Sequence, residues 1–99
     1  MLNNSLSAFQ TVTGSKFEVI LASGNVPLVL SKIIDHGSTS AHEQFSLILL
    51  GPGTQFLPQQ IYSLRHESLG ELELFLVPVG RESAGSYQYE IVFNCFIDK

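Results

Sequence analysis

The stretch that decides the fold spans residues 45 to 80 and reads FSLILLGPGTQFLPQQIYSLRHESLGELELFLVPVG. It contains three apolar or alternating segments, at residues 45–51, 59–66 and 71–80. The breaks between them are rich in Gly, Pro and Ser, which favour turns because each residue type suits a particular turn geometry. The stretch therefore predicts three consecutive strands separated by turns.

Three further segments carry the same signal. The last one places Tyr87, Tyr89, Ile91, Phe93, Cys95 and Ile97 on one face of a predicted strand. Residues 17–21 and 26–34 are also strand-like, and Pro27 stands near the start of the second, where its missing amide donor does least harm. Residues 5–14 are ambiguous: Ser5 could cap one helical turn that directs Leu6 and Phe9 inward, or the segment could be a strand.

Six short strands in 99 residues predict one all-β domain over residues 1–99. The loops are short, which favours antiparallel neighbours. We predict a small antiparallel barrel or roll, with a two-sheet β-sandwich as the alternative. A domain of this size buries only about 60 to 70% of its unfolded surface, and it has no room for a separate cofactor domain.

Composition and charge restrict the partners and the compartment. The five Lys and Arg residues are scattered and the net charge is −4, so no basic stripe is available to neutralise phosphates. The longest apolar runs are far short of the roughly 20 residues of a membrane helix, and the first residues lack the pattern of a secretory signal. A single cysteine excludes an intrachain disulfide. We expect a cytoplasmic protein that binds neither nucleic acid nor membrane.

No motif in the sequence predicts catalysis. Cys95 lies on the apolar face of the last predicted strand, where a thiol without a cationic neighbour is a small buried hydrophobe. His36, His42 and His66 each stand beside an acidic residue, but adjacent residues of a strand point to opposite faces and chelate poorly. The chain contains no H-E-x-x-H, P-loop or G-x-S-x-G pattern. We therefore predict no catalytic residue, no metal site and no cofactor.

An acidic cluster surrounds the predicted hairpin between the fourth and fifth strands. It consists of Glu67, Glu71 and Glu73, of which Glu71 and Glu73 share a strand face. Paired carboxylates can act as acid and base, but an exposed hairpin provides no desolvation to separate their pKa values. We interpret the cluster as a solvated face.

His66 is the residue whose polarity a β skeleton does not require. Tyr62, Leu64 and His66 share one face of the fourth predicted strand. A lone histidine with no visible catalytic partner favours a structural role, in which its ring bridges a turn to the core. The alternative is a ligand site around His66 and Tyr62, together with Tyr87 and Tyr89.

The apolar segments 45–51 and 71–80 predict an interface. They carry apolar residues on both faces, whereas a small barrel turns only one face of each strand inward. The outward set includes Ile48, Leu50, Phe75 and Val77, and it needs cover from the N-terminal segment, a loop or another chain. We predict a homo-oligomer or an obligate complex, most simply a symmetric dimer that buries about 1,200 to 2,000 Å² in total.

The sequence also resembles a family of uncharacterised small bacterial domains of unknown function. The shared elements are F-S-L at 45–47, G-P at 51–52, L-P-Q at 57–59, Y-x-L-x-H at 62–66, L-G at 69–70 and F-L-V-P-V at 75–79. An arginine often precedes the Gly-Pro in that family, whereas this chain has Leu50, so no activity that depends on the arginine carries over. The resemblance implies no established activity. It implies an accessory or assembly role beside a phage-tail-like structural protein.

These observations predict a non-enzymatic module for protein–protein interaction or assembly. The alternative is a small-ligand-binding or enzymatic domain with its site near His66 and Tyr62. A closed pocket with convergent polar groups would favour the alternative, whereas a filled barrel with an exposed apolar patch would favour assembly.

Overall fold

Six antiparallel strands close into a barrel in the computed structural model, which describes residues 6–39, 41–82 and 84–96, with side chains up to Asn94. The strand order around the barrel is β1-β2-β3-β6-β5-β4, and β4 pairs again with β1. The predicted all-β barrel is confirmed. The elements are α1 (Leu6–Gln10), β1 (Lys16–Val19), β2 (Val26–Asp35), β3 (His42–Gly51), β4 (Gln60–His66), β5 (Gly70–Arg81) and β6 (Tyr87–Phe96).

The strands follow the alternation of apolar and polar residues. In β4, Tyr62, Leu64 and His66 are buried, while the residues between them are exposed. The first half of β2 alternates in the same way. Because successive side chains of a strand point to opposite faces, one face of each strand fills the barrel interior.

The longest ladder in the barrel joins β3 to β6. These two strands pair over ten positions, from His42 opposite Phe96 to Gly51 opposite Tyr87. Residues 52–59 then lead from the end of β3 to β4, which lies beside β1 and not beside β3. The β1–β4 ladder has only two register pairs, Glu18 with Arg65 and Val19 with Leu64. This short ladder is the seam at which the barrel closes.

The N-terminal segment forms a helix, the first of the two alternatives that the sequence allowed. α1 directs Phe9 into the core, where its ring centroid lies 5.2 Å from that of Phe93, 6.2 Å from Phe45 and 6.3 Å from Phe17. The turn after α1 ends at Gly14, whose φ of +88° suits a glycine. The proposed capping residue Ser5 lies outside the described residues. Within the described part of the chain, we find no helix with the length and hydropathy needed to cross a membrane.

Candidate functional site

His66 holds the turn that follows its own strand. The residue is 5% exposed, and its ring packs against the ring of Phe17 with centroids 4.5 Å apart. Nδ1 accepts hydrogen bonds from the backbone N–H groups of Ser68 at 2.9 Å and Leu69 at 3.2 Å. The imidazole therefore fixes the β4–β5 turn against the barrel wall.

Ser15 lies on the other side of the His66 ring, directly before β1. Its Oγ is 2.7 Å from His66 Nε2. Since Nδ1 accepts two hydrogen bonds, its lone pair is free of a proton, and the neutral ring carries its proton on Nε2. Nε2 donates to Ser15 Oγ, and the Ser15 hydroxyl donates to the carbonyl of Val12. This chain of bonds links the β4–β5 turn to the segment before β1.

The Ser15–His66 pair has the wrong polarity for a serine nucleophile. A general base must present an unprotonated nitrogen to the hydroxyl, while an acceptor holds the proton of the other nitrogen. Here the nitrogen beside Ser15 is the donor, and backbone N–H groups occupy the other nitrogen. Burial lowers the pKa of His66 below its ordinary value of 6.5, and the charge of Glu67 opposes this shift. The geometry suits a structural link made by a neutral ring.

An open cleft of about 600 Å³ lies along the seam beside this pair. It is lined by Ser15, Lys16, Glu18, Arg65, His66, Glu67, Gly70 and Glu71. Arg65 is already paired with Glu71 at 3.2 Å, and both side chains are exposed, so the ion pair adds little stability. The cleft therefore presents charges of both signs to a polar ligand.

The buried tyrosines lie at a different place from His66. The Tyr62 hydroxyl donates to the carbonyl four residues before it, and the Tyr89 hydroxyl accepts from the N–H of Leu57 at 2.9 Å. Burial raises the pKa of both phenols. Four residues of extended strand separate Tyr62 from His66, which is about 13 Å. The structure thus places His66 and the tyrosines at two separate places, and Tyr87 lies beside Tyr89.

The other two histidines have partners of their own. Nε2 of His36 lies 2.8 Å from Ser46 Oγ, and Nε2 of His42 contacts Oδ1 of Asn94. Among the residues that the structure describes, no group of three or more His, Cys, Asp or Glu side chains is placed to hold a metal ion. The side chains of Cys95 and Ile97, for which the sequence predicts burial, lie outside the described part of the chain.

The four residues predicted to form an interface differ in exposure. Phe75 is 48% exposed, Leu50 and Val77 are partly buried, and Ile48 is only 6% exposed. The chain itself thus covers Ile48, which leaves little of it for a partner. Directly opposite Phe75 in the β4–β5 register stands Ile61, which is 65% exposed. We call Ile61, Phe75, Val77 and Val79 the outer apolar face.

Sequence reasoning missed most of the cleft. Ser15 is 51 positions from His66, so no spacing rule connects them. Glu67 and Glu71 are exposed, in agreement with the predicted solvated face, and both also line the open cleft. The alternation does place Lys16 and Arg65 on outer faces, but only the strand order brings β1 beside β4. Knowledge of that order would have been needed to find the seam.

Comparisons with known proteins identify the family of the chain and give no further information about it. No curated protein and no solved structure matches the chain. A family model described as "Domain of unknown function (DUF6916)" matches residues 5–93. This match confirms the resemblance to an uncharacterised domain family and covers nearly the whole chain. The chain therefore belongs to the DUF6916 family of domains of unknown function.

Proposed function

We propose that the protein is a non-enzymatic assembly module that binds protein through the outer apolar face. The observation that carries the proposal is the opposed pair Ile61 and Phe75, which is 65% and 48% exposed on neighbouring strands. Val79, also exposed, lies farther along β5. An exposed cluster of large apolar side chains on a barrel is typical of a surface that another chain covers.

A second copy of the chain is the partner that this face fits best. The chain carries a net charge of −4, so two copies repel each other unless they meet at an uncharged surface. Ile61, Phe75, Val77 and Val79 carry no charge and Ser63 on β4 is an uncharged neighbour, while Glu73 and Glu90 border the face. A two-fold axis near Phe75 brings the same face of both copies together, as a symmetric dimer requires.

Sedimentation velocity of the purified chain across micromolar concentrations tests the proposal. We expect a dimer whose population rises with concentration, and a monomer for Phe75→Glu with an unchanged melting temperature. The matched control is Val29→Glu, because Val29 is exposed on β2, which lies opposite β5 in the ring of six strands. The control should still dimerise. A soluble monomer at every concentration would exclude self-association.

A larger structural partner is the other form of the same proposal. The resemblance described above implies a phage-tail-like structural protein for this role. A monomeric chain that captures such a protein, and loses it on Phe75→Glu but not on Val29→Glu, would assign the outer apolar face to that partner.

The seam cleft supports a second candidate function, the binding of a small polar ligand. Its volume of about 600 Å³ falls within the range of ligand pockets, which is about 300 to 1,000 Å³. Lys16, Glu18 and Glu67 would supply the polar contacts. Titration with amino acids, dicarboxylic acids and polyamines, followed by amide NMR shifts, tests this candidate. Unchanged shifts at Ser15 and Gly70 with millimolar ligand would reject it.

A further inference from the structure

The hydrogen bonds at His66 leave no place for a second proton on the ring. Nδ1 faces the N–H groups of Ser68 and Leu69 at 2.9 and 3.2 Å. A proton on Nδ1 would turn this nitrogen into a donor, and it would then face the two backbone N–H donors without an acceptor between them. Both bonds must therefore break before the ring can become an imidazolium.

We propose that protonation of His66 opens the seam between β1 and the β4–β5 turn, so that mild acid releases residues 67–69 while the remaining barrel stays folded. The device is independent of the outer apolar face on which the proposed function rests. Once the ring leaves its position, Phe17 loses one of its ring contacts, the His66 ring at 4.5 Å.

The seam is the place where the barrel can open locally. β1 has four residues and meets β4 at only two register pairs, whereas β3 and β6 share ten. The Ser15–His66 bond adds a link that depends on a neutral ring. A short ladder gives way at a lower free energy than a long buried one, which is the condition for opening without global unfolding.

Charged groups of three strands and the turn between two of them face the seam. β1 contributes Lys16 and Glu18, β4 contributes Arg65, the turn contributes Glu67, and β5 contributes Glu71. α1 contributes none, because its sequence is LSAFQ. Glu67 favours the imidazolium, the two cations oppose it, and Arg65 is engaged with Glu71.

The direction of the pH effect follows from these surroundings. Burial lowers the pKa of His66 below 6.5, so the unfolded chain takes up a proton at a higher pH than the folded chain does. The contribution of the neutral ring to folding is complete above the unfolded pKa. It is lost as the pH falls from that value through the folded pKa. We therefore expect the seam to open at pH values below 6.5.

Amide hydrogen exchange of the full chain, measured by NMR from about pH 8 to about pH 5, tests the proposal because histidine changes charge in this range. We use protection factors, which correct for the intrinsic pH dependence of exchange. Those of Ser68 and Leu69 should fall by up to about tenfold per pH unit between the pKa of the open form and that of the folded chain, since opening takes up one proton in this range. Those of Leu47 and Leu49 in β3 should stay constant.

Two variants separate His66 from the other groups. His66→Gln keeps an acceptor and cannot titrate, so its Ser68 and Leu69 protection should not vary in this way with pH. His36→Gln, the matched control at an exposed histidine bonded to Ser46, should keep the wild-type pH dependence.

Three results would overturn the proposal. The pH dependence could survive in His66→Gln, or the β3 amides could lose protection in parallel with the turn. The third is a His66 ring that titrates without loss of protection at Ser68. If His66→Gln fails to fold, the ¹⁵N shifts of the wild-type ring decide. They must show the Nε2–H tautomer at neutral pH. The titration midpoint of the ring must also lie within the pH range in which Ser68 and Leu69 lose protection.

Discussion

Replacement of Phe9 by alanine tests whether α1 is an integral part of the core. The ring is fully buried, and its centroid lies 5.2 Å from that of Phe93 and close to those of Phe17 and Phe45. Truncation of a buried phenylalanine costs about 3 to 5 kcal/mol. A five-residue helix cannot persist without tertiary contacts, so the loss includes part of the packing of Val12.

Urea denaturation measures this loss. With an m-value of about 1.5 kcal/mol/M, the midpoint should fall by about 2 to 3 M. The control is Gln10→Ala, an exposed position of the same helix, which should change the free energy of unfolding by less than about 0.5 kcal/mol. A loss below about 1 kcal/mol for Phe9→Ala, with an unchanged m-value, would refute the view that α1 is an integral part of the core.

Two further sets of variants test the interior by the same denaturation assay. Leu74 and Phe93 are buried, and replacement of either by alanine should cost about 2 to 5 kcal/mol, while less than about 1 kcal/mol would contradict the assigned strand face. Tyr89→Phe leaves the buried N–H of Leu57 without its acceptor and should cost about 1 to 3 kcal/mol. Tyr62→Phe only removes a donor from the carbonyl of an exposed residue, so it should cost less, and equal losses would argue against this account.

The strands could be predicted because the barrel imposes one rule on every strand. The described inward positions are mostly apolar, with His66 on β4 as a polar exception, and the turns between strands carry glycine or other turn residues, so the alternation marks most of the strands. The strand order could not be predicted in this way. Nothing in residues 52–59 indicates that they carry the chain away from β3, so that β6 and not β4 becomes the neighbour of β3.

The exposure of the outer face was predicted only in part. Ile48 and Phe75 both point outward and are both apolar, yet Ile48 is covered and Phe75 is not. Ile48 lies between Lys32 on β2 and Glu90 on β6, whose side chains have apolar stems long enough to cover it. This difference depends on cross-strand neighbours, which the sequence of one strand does not contain.

The interior of the barrel is packed with apolar side chains, which is why both proposed functions use its outer surface. A barrel of about eight strands is just wide enough for side chains to fill, and this barrel has six strands and also encloses Phe9. Side chains therefore occupy the described interior, and the proposed partner is placed on the outer surface.

The β4–β5 hairpin presents two different surfaces along its length. Its cross-strand pairs change from the ion pair Arg65–Glu71, through Ser63 and Glu73, to the apolar pair Ile61 and Phe75. The charged end adjoins the His66 turn, whereas the apolar end lies several residues away along both strands. A partner bound at Phe75 therefore leaves the seam accessible to protons, and release of the turn leaves the pairing of Ile61 with Phe75 in place. The proposed assembly and the proposed response to acid thus use different residues of one hairpin.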